Sequence, residues 1–208
     1  MTYLTIAAPA EYEIEIKRSR FVCALGRVGD EAAARDYREA VRKRRWDARH
    51  NCTAYVVGWP QPAERSSDDG EPAGTAGVPM LEVLRRRGLT DVVAVVSRYF
   101  GGVLLGAGGL VRAYSGAVAG AVDTAGLVAR ERVTVVEVAA GHASAGAVQH
   151  ALRAAGHPVR DVRYAADGVR IEVVVPDEPA FTAWLAEATA GAATAAAIGT
   201  DWVDRPVS

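Results

Sequence analysis

At 208 residues, 50% of them hydrophobic, the chain is long enough for one large or two small domains and can bury a core. Its net charge of −1 excludes a global attraction to nucleic acid, and no apolar run approaches the roughly 20 residues needed to span a bilayer. Cys23 and Cys52 are isolated, and MTYLTIAAPAEYEIEIKRSR has no basic start followed by a hydrophobic stretch, so a reducing, cytoplasmic location is expected.

Tyr12, Ile14 and Ile16 alternate with Glu11, Glu13 and Glu15, the period of a half-buried strand. Residues 21–28 read as a second strand, with Lys17-Arg18-Ser19-Arg20 near the turn between the two. Asp30 is placed to cap a helix running to about Arg45, in which Ala34, Tyr37 and Val41 share a face. Residues 51–58 are β-rich. Residues 59–74 carry Pro60, Pro62 and Pro72 among polar side chains and read as one long loop. Val78, Leu81, Val83 and Leu84 mark a helix that Gly88 ends. Residues 92–96 are continuously apolar, as expected of a strand covered on both faces. Leu110, Tyr114, Val118 and Val122 then form one stripe of a long helix stopped by Gly126.

From Val133 the chain turns alanine-rich and acidic, so the domain boundary is expected near Arg130, giving domains 1–130 and 131–208. The elements read strand 133–139, helix 143–155, strand 158–165, strand 168–175, helix 178–190 and strand 195–203. Asp167-Gly168 signals a two-residue hairpin. Asp177 can cap the last helix, with Pro179 in its first turn and Phe181, Leu185 and Ala188 as its buried stripe. This βαββαβ order is the ferredoxin-like arrangement. Residues 1–130 hold 18 Lys/Arg against 15 Asp/Glu, a balance of +3; residues 131–208 hold 6 against 10, a balance of −4. Any anion-binding surface therefore belongs to the first part.

Chemistry concentrates in SSDDGEPAGTAGVPMLEVLRRRGLTDVVAVVSRYFGGVLLGAGGLVRAY, residues 66–114. Eleven glycines or prolines lie between Gly70 and Gly109, more than packing around one strand and two helices requires. Arg98 ends the apolar strand, and Gly101, Gly102, Gly106, Gly108 and Gly109 lead into the next helix. A loop of that kind aims free N–H groups and a positive dipole end at one spot, which suits an anion. The plainer alternative is tight packing of helix on sheet. Asp68, Asp69 and Glu71 can hold a hard cation, supply a base or cap a solvated turn. His50 and Cys52 share a strand face, but no second pair completes a zinc site; a packed thiol beside a hydrogen-bonded imidazole is the simpler expectation. Basic residues cluster at Lys17, Arg18 and Arg20, at 42–45 and at 85–87, the last two runs at helix C-termini. Trp46, Trp59, Tyr99 and Phe100 are available to stack on bases, although burial in the core is the expected fate of most of them.

SSDDGEPAGTAGVPML and RYFGGVLLGAGGLVRAYSGAV resemble signature blocks of the IMPACT/YigZ family, and KRSRF and HNCTAYV resemble two more; together they span residues 17–118. The resemblance implies an α+β, two-domain cytoplasmic protein. Its first domain would carry a mixed sheet like the ribosomal-protein and GHMP-kinase βαβ fold, its second a ferredoxin-like fold similar to a domain of elongation factor G. The glycine loop is similar to the GHMP phosphate loop, but Gly108-Gly109-Leu110 replace its hydroxyl residues and no GxxxxGK[ST] is present.

Two functions are carried forward. The first is a non-enzymatic binding module linked to translation regulation, engaging RNA, the ribosome or a translation-associated protein without DNA sequence specificity and without a membrane. Its binding residues would be Lys17, Arg18, Arg20, His50, Asp68, Asp69, Glu71, Arg98, the five glycines and Arg112. The second is an enzyme acting on a small or phosphorylated molecule through the glycine groove. Binding is favoured because the sequence displays no complete catalytic set, no cofactor fingerprint and no full metal-ligand set. Two geometric expectations follow. Lys17, Arg18, Arg98 and Arg112 should line one accessible positive surface, and the acidic loop should meet the glycine loops.

Overall fold

The computed structural model describes residues 1–207 as two compact units. The first unit holds residues 2–130 and 204–207; the second holds residues 131–203 with Met1. The α+β class expected from the sequence holds in both.

In the first unit, β1 (Thr2–Ile6), β2 (Ala10–Ile16) and β3 (Ser19–Arg27) precede α1 (Glu31–Arg44). Then follow β4 (His50–Val57), β5 (Ala63–Ser67), α2 (Gly77–Arg86), β6 (Val92–Tyr99) and α3 (Ala107–Ala125). The sheet order is β2-β3-β6-β4-β5. Every ladder in it is antiparallel, which corrects the expected mixed sheet. The apolar run of β6 reports cover on both faces, not strand direction. Alternate side chains go to opposite layers. Cys23, Leu25, Cys52, Ala54, Ala94 and Val96 pack against α2 and α3. Ala24, Tyr55, Val57, Val93 and Val95 pack against Ala34 and Val41 of α1.

The helix signals translate directly. Asp30 accepts from the Ala33 N–H at 2.7 Å and caps α1. Leu110, Tyr114, Val118 and Val122 are all buried. β5 and β1 escaped the sequence reading. The polar β5 is a sheet edge that, among the described residues, pairs with β4 alone, so it carries no apolar alternation to announce it.

The second unit contains β7 (Leu127–Ala140, continuous from the first), α4 (Ala145–Ala154), β8 (Val159–Ala165), β9 (Gly168–Val175), α5 (Glu178–Ala188) and β10 (Ala193–Pro206). β9 lies between β7 and β8, and β10 pairs with β7, which is the ferredoxin-like order. Val136, Val138, Ile171 and Val173 meet Val148, Leu152, Phe181 and Leu185 in its core. The hairpin turn is Ala166-Asp167, one residue earlier than expected, because Ala165 pairs with Gly168. Asp177 caps α5 through the Ala180 N–H at 3.0 Å, but Ala188 is exposed and the buried stripe ends at Leu185.

Candidate functional site

β3 pairs Phe21 with Arg98, and β4 pairs His50 with Arg98, so three neighbouring strands place these residues in one cross-strand row. The row below it is Cys23, Val96 and Cys52. Beside the upper row opens a hollow of about 230 Å3, lined by Arg49, His50, Gly70, Glu71, Pro72, Arg98, Phe100 and Leu104. Arg98 and Glu71 are buried and form its floor; Arg49, Pro72, Phe100 and Leu104 are exposed at its mouth.

The floor is tightly bonded. Arg98 Nη1 donates to both Glu71 oxygens, at 2.7 and 3.0 Å. The Tyr114 hydroxyl, brought by α3, donates to Glu71 Oε1 at 2.8 Å. Cys52 Sγ lies 3.3 Å from that hydroxyl and 3.0 Å from the Asp68 carbonyl oxygen. The Arg98 guanidinium sits over the rings of Phe21 and Phe100, 5.4 and 5.7 Å from their centroids. Among the described residues, its buried Nε has no hydrogen-bond partner and its Nη2 makes no bond. Burial pushes the Cys52 thiol up to about 12, although the bond to Tyr114 opposes it. The Tyr114 hydroxyl is also raised, by burial first and then by Cys52 and Glu71. Neither group is ionised at neutral pH.

Arg98 was expected on an accessible positive surface. It is instead only 7% exposed, because Glu71 meets it from the acidic loop. The acidic and glycine-flanked segments do meet, but through Glu71 alone. Asp68 turns to α2: its carboxylate accepts from Gly74 at 2.8 Å, Ala76 at 3.0 Å and Gly77 at 2.8 Å, closing a helix start that has no cap of its own. Burial works against the Asp68 charge, yet these N–H groups outweigh it and hold the carboxyl below its usual range. Asp69 accepts from the Asn51 N–H at 2.7 Å, and its carbonyl lies 2.8 Å from His50 Nδ1. A carbonyl only accepts, so Nδ1 carries the proton there and Nε2 is left as the other ring position. The three carboxylates thus have three separate partners and do not form a shared cation cage. His50 and Cys52 share a face as expected, each hydrogen-bonded to the acidic loop.

The glycines divide. A Cβ on Gly101 would lie 2.0 Å from the Arg18 backbone, and its N–H donates to Ser19 Oγ at 3.1 Å, so Gly101 seats the loop on the β2–β3 turn rather than on a ligand. Gly106, with φ of 72°, caps α3 in a conformation other residues disfavour. Gly102 and Gly108 are exposed, and Gly109 packs on Leu105. Among the described residues, none of the N–H groups from 102 to 108 finds an acceptor. Lys17, Arg18 and Arg112 are exposed and have no ion-pair partner among the described residues, whereas Arg20 is bonded to Glu13 at 2.9 and 3.1 Å and lies over Tyr99.

Arg49 was missed by the sequence reading. It lies over the Phe100 ring at 6.0 Å and lines a second hollow of about 340 Å3 with Arg42, Lys43, Trp46 and the acidic Glu39 and Asp69. Trp46 is 83% exposed. Arg49 stands just before the strand in RHNCTAYV and carried no periodic signal. Tyr114 was legible only as a core position; its need for a buried hydroxyl partner was the available clue.

Comparison with known proteins adds the following. The profile described as "Impact N-terminal domain" matches residues 17–122, and "Domain of unknown function (DUF1949)" matches 138–192. The chain is 41% identical over 192 residues to "IMPACT family member YvyE" of Bacillus subtilis (strain 168), covering 91% of this chain and 88% of that protein. It is 50% identical over 119 residues to "IMPACT family member YigZ" of Escherichia coli (strain K12), covering 56% of this chain and 58% of that one. A crystal structure described as that of "an hypothetical protein" matches with a TM-score of 0.63 at 37% identity, covering 95% of this chain and 97% of the other.

Proposed function

Because this chain belongs to the IMPACT family, we propose for it a function that its family name leaves open: a cytoplasmic, non-enzymatic module of translation regulation that binds single-stranded RNA through its first unit. One observation carries this reading. Two exposed aromatic rings, Trp46 and Phe100, line adjacent hollows that share Arg49, and the Trp46 hollow holds three cations, Arg42, Lys43 and Arg49, against two carboxylates, Glu39 and Asp69. Stacking surfaces interleaved with free cations are what a sequence-tolerant single-strand binder needs. Catalysis is less well supported, because the reactive groups are committed to the fold. Cys52 is protonated, Tyr114 holds Glu71, Glu71 holds Arg98 and Asp68 caps α2. The two buried free thiols agree with a reducing compartment, and no helix among the described residues is long and apolar enough to cross a membrane.

The test is titration of the intact protein with a labelled single-stranded RNA over a range of salt. Log affinity should fall against log salt with a slope of about −0.7 per neutralised phosphate. Arg42→Ala/Lys43→Ala should weaken binding and flatten the slope. Trp46→Ala should weaken it by about 1–3 kcal/mol with the slope retained. Saturable binding of a small phosphorylated compound, with no salt-dependent RNA binding at moderate ionic strength, would replace this reading with the small-molecule one.

A further inference from the structure

We infer that the hollow above Arg98 is an end-binding site, taking a terminal phosphate monoester of the RNA with the adjoining base on Phe100. The inference rests on the RNA-binding reading and adds to it which part of the strand enters.

Three features argue for an end rather than a passing segment. The hollow has a closed floor, because Arg98 and Glu71 are 7% and 8% exposed while the other lining groups surround its mouth. An internal phosphodiester needs an exit for the chain on both sides, whereas a terminal monoester needs only one. Charge gives the second reason. A phosphodiester carries one negative charge, but a monoester carries about −1.5 to −2 near neutral pH. The hollow offers two guanidinium groups, the charge of one offset by Glu71, so what favours the monoester is the stronger acceptor character of its oxygens toward the guanidinium N–H groups. Arg98 is held by Glu71 and lies against the Phe21 and Phe100 rings, its Nη2 unbonded among the described residues; Arg49, at the mouth, has no ion-pair partner among them. Glu71 does not repel the ligand strongly, since its oxygens are already engaged by Arg98 and Tyr114. The third feature is the wall. Phe100 is 43% exposed and borders both guanidinium groups, so a base packed against its exposed part keeps its phosphate within their reach.

The floor is preorganised. A planar fork fixed in advance loses little freedom when it meets phosphate oxygens. His50 contributes at the mouth: with Nδ1 given to the Asp69 carbonyl, Nε2 is the ring atom left to meet a phosphate or ribose hydroxyl.

The experiment uses the intact protein and one short RNA sequence in three forms: 5′-phosphorylated, 3′-phosphorylated, and hydroxyl at both ends. Anisotropy titrations at one ionic strength should give about a tenfold preference for one phosphorylated end over the hydroxyl form, the ratio one added charge-assisted contact provides. Whichever end is preferred identifies the strand polarity. Arg49→Gln should erase most of that preference; it is the variant of choice because Arg49 is exposed, whereas losing Arg98 would strand Glu71 in the interior. Equal affinity for all three forms would overturn the end-binding assignment and leave the RNA-binding reading standing. A preference that survives Arg49→Gln would move the phosphate away from this hollow and overturn it as well. Failure of every form to bind would remove both.

Discussion

Glu71 organises the floor of the hollow: one carboxylate receives an arginine and a tyrosine hydroxyl, and Cys52 closes the chain behind them. Removing Arg98 would leave a buried charge unpaired, which costs several kcal/mol, roughly 3–5. Asp68 acts differently, on the backbone alone. Its carboxyl titrates below the usual range when folded and near about 3.9 when unfolded. Its contribution is therefore complete above roughly pH 5 and is lost as the pH falls through the folded value. Asp68→Asn is expected to flatten the acid limb of stability, read from denaturant midpoints between about pH 2 and pH 6. Asp68→Ala should cost about 1 kcal/mol at neutral pH, the usual worth of a helix cap. An unchanged acid limb in the Asn variant would assign the limb to other carboxylates.

The β2–β3 hairpin carries its two central residues, Lys17 and Arg18, at φ of 47° and 65°, with Ile16 paired to Ser19. A two-residue turn with both φ values positive favours Asn-Gly, so two basic residues are held there against local preference. Arg18→Gly combined with Lys17→Asn should raise stability by about 1 kcal/mol, the left-handed penalty relieved, while lowering RNA affinity. Higher stability with unchanged affinity would show that these charges do not serve binding. Much of the fold was legible because burial writes periodicity into sequence: the 12–16 alternation, the 110–122 stripe and the caps Asp30 and Asp177 all reappear. The polar edge strand β5 was not legible, since ladder bonds at an edge need no apolar pattern. Half of the site was readable in the same way. Arg98 and the glycines mark it, but Glu71 lies 27 residues from Arg98 in the chain, and no spacing rule encodes that pairing.

At the scale of the whole chain, the first unit has free cations and the second has few. In the second unit Arg160 is paired with Asp201, Arg163 with Glu137 and Arg170 with Asp167. The chain's final described residues belong with the first unit, where Asp204 receives a two-pronged bond from Arg27 at 2.7 and 2.8 Å. Arg27 holds the Asp204 carboxyl below its usual range. Asp204→Ala should weaken the first unit by about 0.5–1 kcal/mol, less at high salt, as expected of a partly exposed pair. Faster amide exchange along β3 would register the change, and unaltered exchange there would deny the pair a structural role.

That same contact sets an order of events during synthesis. Residues 204–207 leave the ribosome after all of the second unit, on the order of ten seconds behind β6 and α3 at ordinary elongation rates. A first unit that folds as it emerges does so before Arg27 can meet Asp204, with the chain of the second unit still to be made.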